Sequence, residues 1–330
     1  MRSLFFFGLL LLITLSFSAC GGKVFEPEDV IDDYDLAESY EAEMFMQHRE
    51  GLTYDTGVFL TKKGIFTDFK LPKGFAYLND TNVSVVSADS SGKVLIQNKK
   101  GETEVTMDLS DRILSASIQD DLLAVVNVKN EMKIFSLATQ QELFTFSGSA
   151  VTAIDMRLAP PKFYEGLIFF PSLDGKIQIY SKTSKKMIRT MSVSTNEQFN
   201  NIIFFEVLNK KLLAATGSEV YLFSQKSAQK KMPVREIFLS DDKIVVLRKD
   251  GKILLLDSDL ETRNELKFPF ARFMGGLSND KAIFVVEKEG YLIKIEKDLS
   301  KSFVYELDFD SEIFFTGEKS FYFSDGYYTP

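Results

Sequence analysis

Tryptophan is absent from this chain, and cysteine and histidine occur once each, as Cys20 and His48. Each scarcity removes a class of chemistry. A single cysteine cannot close a disulfide within the chain, and no set of thiolates is available to hold zinc. A lone histidine ahead of the main body leaves that body without the base of a Ser-His-Asp set. His48 therefore reads as a solvated residue of an N-terminal stem. Positive charge is also lacking. The net charge is −8, and the residues after position 50 are close to balanced, with 36 basic against 37 acidic side chains. Such a body has no cationic surplus to hold a phosphate backbone, so nucleic acid is not an expected partner.

What is present begins with export. Arg2 precedes the apolar run Leu4–Leu15, and small residues then lead to Cys20. A charged start, an apolar middle and a small-residue end make a signal peptide over residues 1–19. The sixteen residues from Leu4 to Ala19 would span ~24 Å as a helix, short of a ~30 Å hydrocarbon core. Phe17-Ser18-Ala19-Cys20 resembles a bacterial lipobox, with Phe17 where that motif usually has Leu. The resemblance implies lipidation at Cys20 and a membrane anchor. Gly21, in place of the Asp that typically retains such proteins at the inner membrane, implies the outer membrane.

Residues 20–50 form an acidic stem. Between Lys23 and Glu50 ten Asp or Glu stand against Lys23 and Arg49. Like-charge blocks extend and stay solvated, so the stem reads as a flexible tether, with a short helix over 35–49 and a docking segment as alternatives. The acidity of the protein is concentrated there.

Residues 51–330 read as an all-β repeat. Apolar runs alternate with tight polar turns, and one unit recurs: an apolar strand, a turn, an alternating strand, a polar link and a third strand. Its clearest copies turn at Asp174-Gly175, Asp250-Gly251 and Gly290; weaker ones turn at Gly92, Asn130, Ser218 and Gly326. The mean spacing of about 39 residues suits a four-stranded propeller blade, which needs about 40. Further apolar runs between the units supply the innermost strands. A lone four-stranded sheet cannot bury both faces, whereas a ring of them can. The expectation is a single propeller of seven blades, with eight as the alternative. It would be closed by an N-terminal hairpin around Gly64, because the seventh unit stops before its outer strand.

The unit resembles the PQQ-like repeat of bacterial β-propellers. Asp174-Gly175-Lys176-Ile177 and Asp250-Gly251-Lys252-Ile253-Leu254-Leu255-Leu256-Asp257 match the start of that repeat, and Thr183-Ser184-Lys185 echoes its middle. The terminal Trp of the repeat is missing throughout. A lipoprotein signal followed by such a propeller resembles the BamB family of the outer-membrane β-barrel assembly machinery. That resemblance implies a non-catalytic scaffold facing the periplasm and docking on envelope proteins. No cofactor is expected. Quinoprotein enzymes that share the repeat stack the quinone on a Trp, so PQQ is not expected either.

Few residues in the body suggest chemistry. Asp257-Ser258-Asp259-Leu260-Glu261 reads as an inter-strand turn, since it lacks the Gly and the distant Glu of a calcium loop. Gly275-Gly276 reads as a tight turn, with no helix after it to cradle a phosphate. The longest irregular insertion, Met156–Glu165, offers Arg157, Phe163 and Tyr164 as candidate partner contacts. Lys226–Arg235 is locally basic and suits an acidic surface or lipid headgroups, or reads as a solvated loop. Two other functions stay open: a periplasmic propeller enzyme or carbohydrate binder, which converging carboxylates on one face would support, and a surface adhesin.

Overall fold

Continuous apolar runs and alternating ones have different places in the structure. Strands such as Leu167–Pro171 and Lys252–Leu256 are buried almost throughout, because they lie in the middle of a sheet covered on both faces. Thr262–Lys267 and Glu142–Ser147 are mostly exposed, because they are outermost in their sheets. A computed structural model of the chain describes residues 23–38, 42–151, 155–196, 198–208, 210–310 and 312–330. The signal segment 1–19 and Cys20 lie outside the described residues.

Eight antiparallel blades make up the structure. Blades 1 to 7 span residues 44–66, 75–108, 113–147, 162–192, 204–231, 234–267 and 273–307. Blade 8 takes three strands from residues 314–328 and its fourth, Ala37–Glu38, from the N-terminal side. Within blades 1 to 7 the strands pair in chain order, with the first innermost. Hydrophobic clusters fill the spaces between neighbouring blades. Leu254 and Leu256 of blade 6 pack on the blade 5 side, while Val245, Leu255 and Phe273 pack together on the blade 7 side.

One hydrogen bond repeats around the ring. In blades 1 to 7 an amide at or beyond the end of the outer strand donates to the carbonyl of the turn between the second and third strands. It appears as Leu71 to Gly57, Leu109 to Gly92, Gly148 to Asn130, Val193 to Gly175, Met232 to Ser218, Phe268 to Gly251 and Leu307 to Gly290, at 2.8 to 3.0 Å. All seven turns read from the sequence lie between second and third strands. The eighth is Asp55-Thr56-Gly57. Gly57 has φ 81°, and a Cβ there would sit 2.3 Å from the Leu71 carbonyl oxygen, so the turn excludes side chains on two counts.

Four sequence expectations change. The blade count is eight, the alternative, not seven. The hairpin around Gly64 does not close the ring; it is the outer half of blade 1, whose inner half is Met44–Gln47 and Gly51–Tyr54. The acidic stem is not a free tether to residue 50, nor a helix over 35–49. Asp33–Tyr34 pairs in parallel with Glu306–Leu307 of blade 7, and Ala37–Glu38 pairs with Gly326–Tyr327 of blade 8. Phe25 is buried against Phe268 and Tyr291. Tyr34 lies between Tyr305 and Tyr328, with ring centroids 4.8 and 5.1 Å away. The physical reason is that two propeller edges offer unpaired backbone and aromatic surface, and the scattered apolar residues of the stem fill them while its carboxylates stay in solvent. The segment becomes a strap across the closing blades.

Gly275-Gly276 is likewise not a turn. It lies in the inner strand Phe273–Ser278 of blade 7. A Cβ on Gly275 would sit 2.5 Å from Thr316 Oγ1 and 2.8 Å from the Phe314 ring, so blade 8 closes onto bare backbone.

Candidate functional site

The inner strands line a central channel with two mouths. One face of the disc carries the turns between first and second strands; we call it the hairpin face. The other carries the turns between second and third strands together with the connections from one blade to the next; we call it the link face.

A charged cluster crosses the channel. Arg49 follows the inner strand of blade 1 and reaches Glu236 on the inner strand of blade 6, with Nη1 2.8 Å and 3.0 Å from the two carboxylate oxygens. Both side chains are 14% exposed. Arg157 joins from the segment before blade 4. It donates to Asp155 through Nε and Nη2, to the Arg235 carbonyl through Nη1 at 2.7 Å, and lies 3.7 Å from Glu236. Burial alone would raise the Glu236 pKa, but Arg49 and Arg157 outweigh it and hold it below the usual carboxylate range. Lys62, from the outer turn of blade 1, donates to the Thr316 carbonyl of blade 8. Burial first, and the nearby Arg49 second, bring its pKa down to about 8.

His48 is part of this cluster. It is 5% exposed, and its ring hydrogen-bonds the Leu114 backbone while Nδ1 has no partner. Burial, helped by the nearby Arg112 cation, lowers its pKa to about 4, so the ring is neutral near pH 7. The expectation of a solvated stem histidine is overturned, because the stem supplies the first inner strand and carries the ring inward.

On the hairpin face the channel opens into a cavity of about 590 Å³. Its wall includes Glu50, Lys62, Asp80, Lys162, Phe163, Glu206 and Glu318. Two of these four carboxylates are engaged: Asp80 accepts from Tyr77 Oη at 2.8 Å and from Lys99 Nζ at 2.7 Å, and Glu206 pairs with Lys162. On the link face a second cavity of about 420 Å³ is bordered by Arg235, Lys249, Arg272, Phe273, Met274 and Lys288. Among the described residues no three His, Cys, Asp or Glu side chains gather as a metal site requires.

The three contact candidates do not lie together on an exposed loop. Arg157 is inside the channel, engaged by Asp155. Phe163 and Tyr164 belong to the inner strand Lys162–Tyr164; Phe163 borders the hairpin-face cavity, and Tyr164 packs on the core between blades 4 and 5. Sequence reasoning missed Arg49, Lys62 and Glu236, and its only signal for Arg235 was the basic run that ends there. Asp257 does what its sequence suggested, its Oδ1 accepting from the amides of Asp259 and Glu261 at 2.9 Å.

With this geometry known, similarity to solved structures becomes informative. The propeller aligns with BamB from Moraxella catarrhalis at a TM-score of 0.67 and 12% identity, covering 88% of this chain and 98% of that one. The fold is a BamB-like propeller. It also aligns with Saccharomyces cerevisiae Sqt1 (TM-score 0.62, 10% identity, 91% and 98% covered) and with the C-terminal WD40 domain of Sif2 (0.61, 14%, 92% and 96%). No protein-family model matches the chain. In sequence, 207 residues are 30% identical to the plasminogen-binding protein PgbB of Helicobacter pylori strain J99, and 29% identical to that of strain 26695. These matches cover 61% of this chain and only 38% of each relative.

Proposed function

We propose that this protein is a non-catalytic protein-binding scaffold that meets its partner through the link face. The observation that carries the reading is the apolar display on that face. Phe199 and Phe270 are 59% and 52% exposed, and both have left-handed backbone, φ 47° and 65°. Holding an exposed aromatic in that region costs roughly 1–2 kcal/mol, and such strain clusters at binding surfaces. Met44, Phe45 and Val128 are exposed on the same face, whose mouth carries Arg235, Lys249, Arg272 and Lys288. Aromatic, Met and Arg side chains are the ones enriched in protein interfaces. Among the described residues, Val83 is the large apolar residue exposed at a hairpin-face turn, while Leu143 and Ile188 are exposed on outer strands.

For the partner, the PgbB relative carries more weight than the fold neighbours, since folds at 12% identity are shared by proteins with unrelated partners. We therefore take plasminogen as the first candidate and the barrel-assembly machinery as the second. Lipidation at Cys20 and an outer-membrane location complete the reading. Lys23 lies over the Phe270 ring, 5.2 Å from its centroid, and three residues reach ~10 Å, so an acyl chain on Cys20 would hold the rim at blades 6 and 7 close to the bilayer. Surface plasmon resonance with purified plasminogen tests the partner, with Phe199→Ser/Phe270→Ser expected to weaken binding at least about tenfold. Crosslinking in intact cells and protease shaving test the location. Capture of neither plasminogen nor a barrel-assembly subunit would sink the reading.

The hairpin-face cavity favours a second reading, a carbohydrate binder, because its wall mixes carboxylates, amines and Phe163. Glycan-array binding lost in Glu206→Gln would support it.

A further inference from the structure

A small cavity of about 90 Å³ lies at the centre of the channel, between the two mouths. Arg49, Lys62, Arg157 and Arg235 line it, with Glu236 as the one carboxylate on its wall. Asp155 pairs with Arg157 beside it. Glu50 and Glu318 act on Lys62 from the hairpin-face side without closing an ion pair with it. Lys62 and Arg235 are therefore the two lining cations that form no ion pair among the described residues. Lys62 Nζ donates to the Thr316 carbonyl at 3.0 Å and lies 4.8 Å from the Phe315 ring centroid. Arg235 Nε donates to the Phe273 carbonyl at 3.0 Å. Neutral acceptors solvate a buried cation but do not cancel its charge. His48 lines the same cavity with Nδ1 unpartnered. A buried polar atom without a partner is costly unless something fills the site.

Size and access agree with one kind of occupant. The cavity equals about three water volumes at ~30 Å³ each, room for a group of four or five heavy atoms. Arg235 and Met274 also border the link-face mouth, where Lys249, Arg272 and Lys288 add cations. Arg272 has Glu289 as a partner; Lys249 and Lys288 have no ion pair among the described residues. Charge of one sign along a narrowing opening draws in the opposite charge. We propose that the centre of the channel is an oxyanion site, in which Arg49, Lys62, Arg157 and Arg235 hold a phosphate or carboxylate group that enters through the link-face mouth. A hydrogen-phosphate hydroxyl would donate to His48 Nδ1; with a carboxylate, His48 would take up a proton to become the donor. The site stands whether or not the scaffold reading does; only a protein-borne source of the carboxylate depends on that reading.

The single histidine makes the test direct. Purified protein with a labelled imidazole gives one ring signal, which is followed by NMR during titration with inorganic phosphate and, separately, a hexaglutamate peptide. Phosphate is expected to shift the His48 signal saturably and to raise its titration midpoint above about 4. Lys62→Met/Arg235→Gln should weaken binding at least about tenfold, with amide spectra reporting that the fold persists. Lys249→Gln/Lys288→Gln, at the solvent-exposed mouth, should weaken it less and keeps the test valid if the channel variant fails to fold. A response to hexaglutamate identifies a peptide carboxylate as a source, and a response to phosphate alone identifies a free oxyanion. No movement of His48 with either at about 10 mM, or binding unchanged in both variants, would overturn the proposal.

Discussion

Arg49 of blade 1 and Glu236 of blade 6 meet across the channel, Nη1 lying 2.8 Å from Oε1, although no sheet joins the two strands. Arg157, from the segment before blade 4, reaches the same carboxylate at 3.7 Å. Three separate parts of the ring thus converge on one anion. The hydrophobic clusters join neighbouring blades, whereas these contacts span the channel, as does the bond from the His48 ring to the Leu114 backbone, and so resist a distortion that neighbour packing alone would permit. The cluster is held by hydrogen bonds in a sheltered place, where removing one partner strands the others.

Glu236→Ala is accordingly expected to destabilise the protein by about 3 kcal/mol, because it leaves Arg49 and Arg157 facing each other without the anion. Glu206→Ala, which removes the carboxylate of a more exposed pair with Lys162, should cost about 1 kcal/mol or less. Urea unfolding of the two variants measures the difference. Equal losses would mean that the channel pair has no special weight.

His48 gives stability a pH dependence. Folded, it titrates at about 4; unfolded, at about 6.5. Between those values the unfolded chain binds the proton more readily, so stability falls as pH drops from about 6.5 to about 4 and is flat above that window. The shift corresponds to about 3 kcal/mol. His48→Gln should flatten this part of the stability curve. A wild-type curve with no slope there would show that the folded ring titrates normally.

The residues that make these predictions were unequally legible in the sequence. Turns such as Asp174-Gly175 announce themselves because a hairpin needs positive φ next to alternating strands, and Gly175 has φ 76°. Blade 1 was hidden for the opposite reason. Its first strand, Met44–Gln47, follows a run of carboxylates, and four residues are too few to set a period against that charge. The strands of the strap are two residues long and are held by edge pairing and by Phe25 and Tyr34, which stand nine positions apart. Composition therefore read as a tether what packing makes a closure. His48 was misplaced by the same step. Arg49 and Glu236, 187 positions apart, could be paired only after the ring had been closed in the right register.

Lys62 should be unusually reactive. With a pKa of about 8 it is half neutral at pH 8, whereas an ordinary lysine near 10.4 is about 0.4% neutral. Because it also lines the hairpin-face cavity, a small amine reagent can reach it. Limited acetylation at pH 8, read by mass spectrometry, is expected to modify Lys62 well ahead of exposed lysines such as Lys63. Labelling of the two at equal rates would count against the lowered pKa.

The strap makes the most local prediction. Phe25 is 5% exposed and packs edge-on against Phe268 and Tyr291, at 6.0 and 5.6 Å between centroids. The strap behind it is held by backbone pairing and, farther on, by Tyr34: Asp32 accepts from the Glu306 amide at 3.0 Å, and Ile31 donates to the Val304 carbonyl at 2.9 Å. Phe25→Ala removes the apolar anchor, a loss of about 3 kcal/mol. Blade 7 keeps its own four strands, so the loss should appear as local opening rather than global unfolding. The Glu306 amide should exchange with solvent about a hundredfold faster, while amides of the central strand Ile283–Glu287 keep their rates. Faster exchange in both places would mean that the strap supports the whole blade. Unchanged exchange at Glu306 would mean that Phe25 does not anchor it.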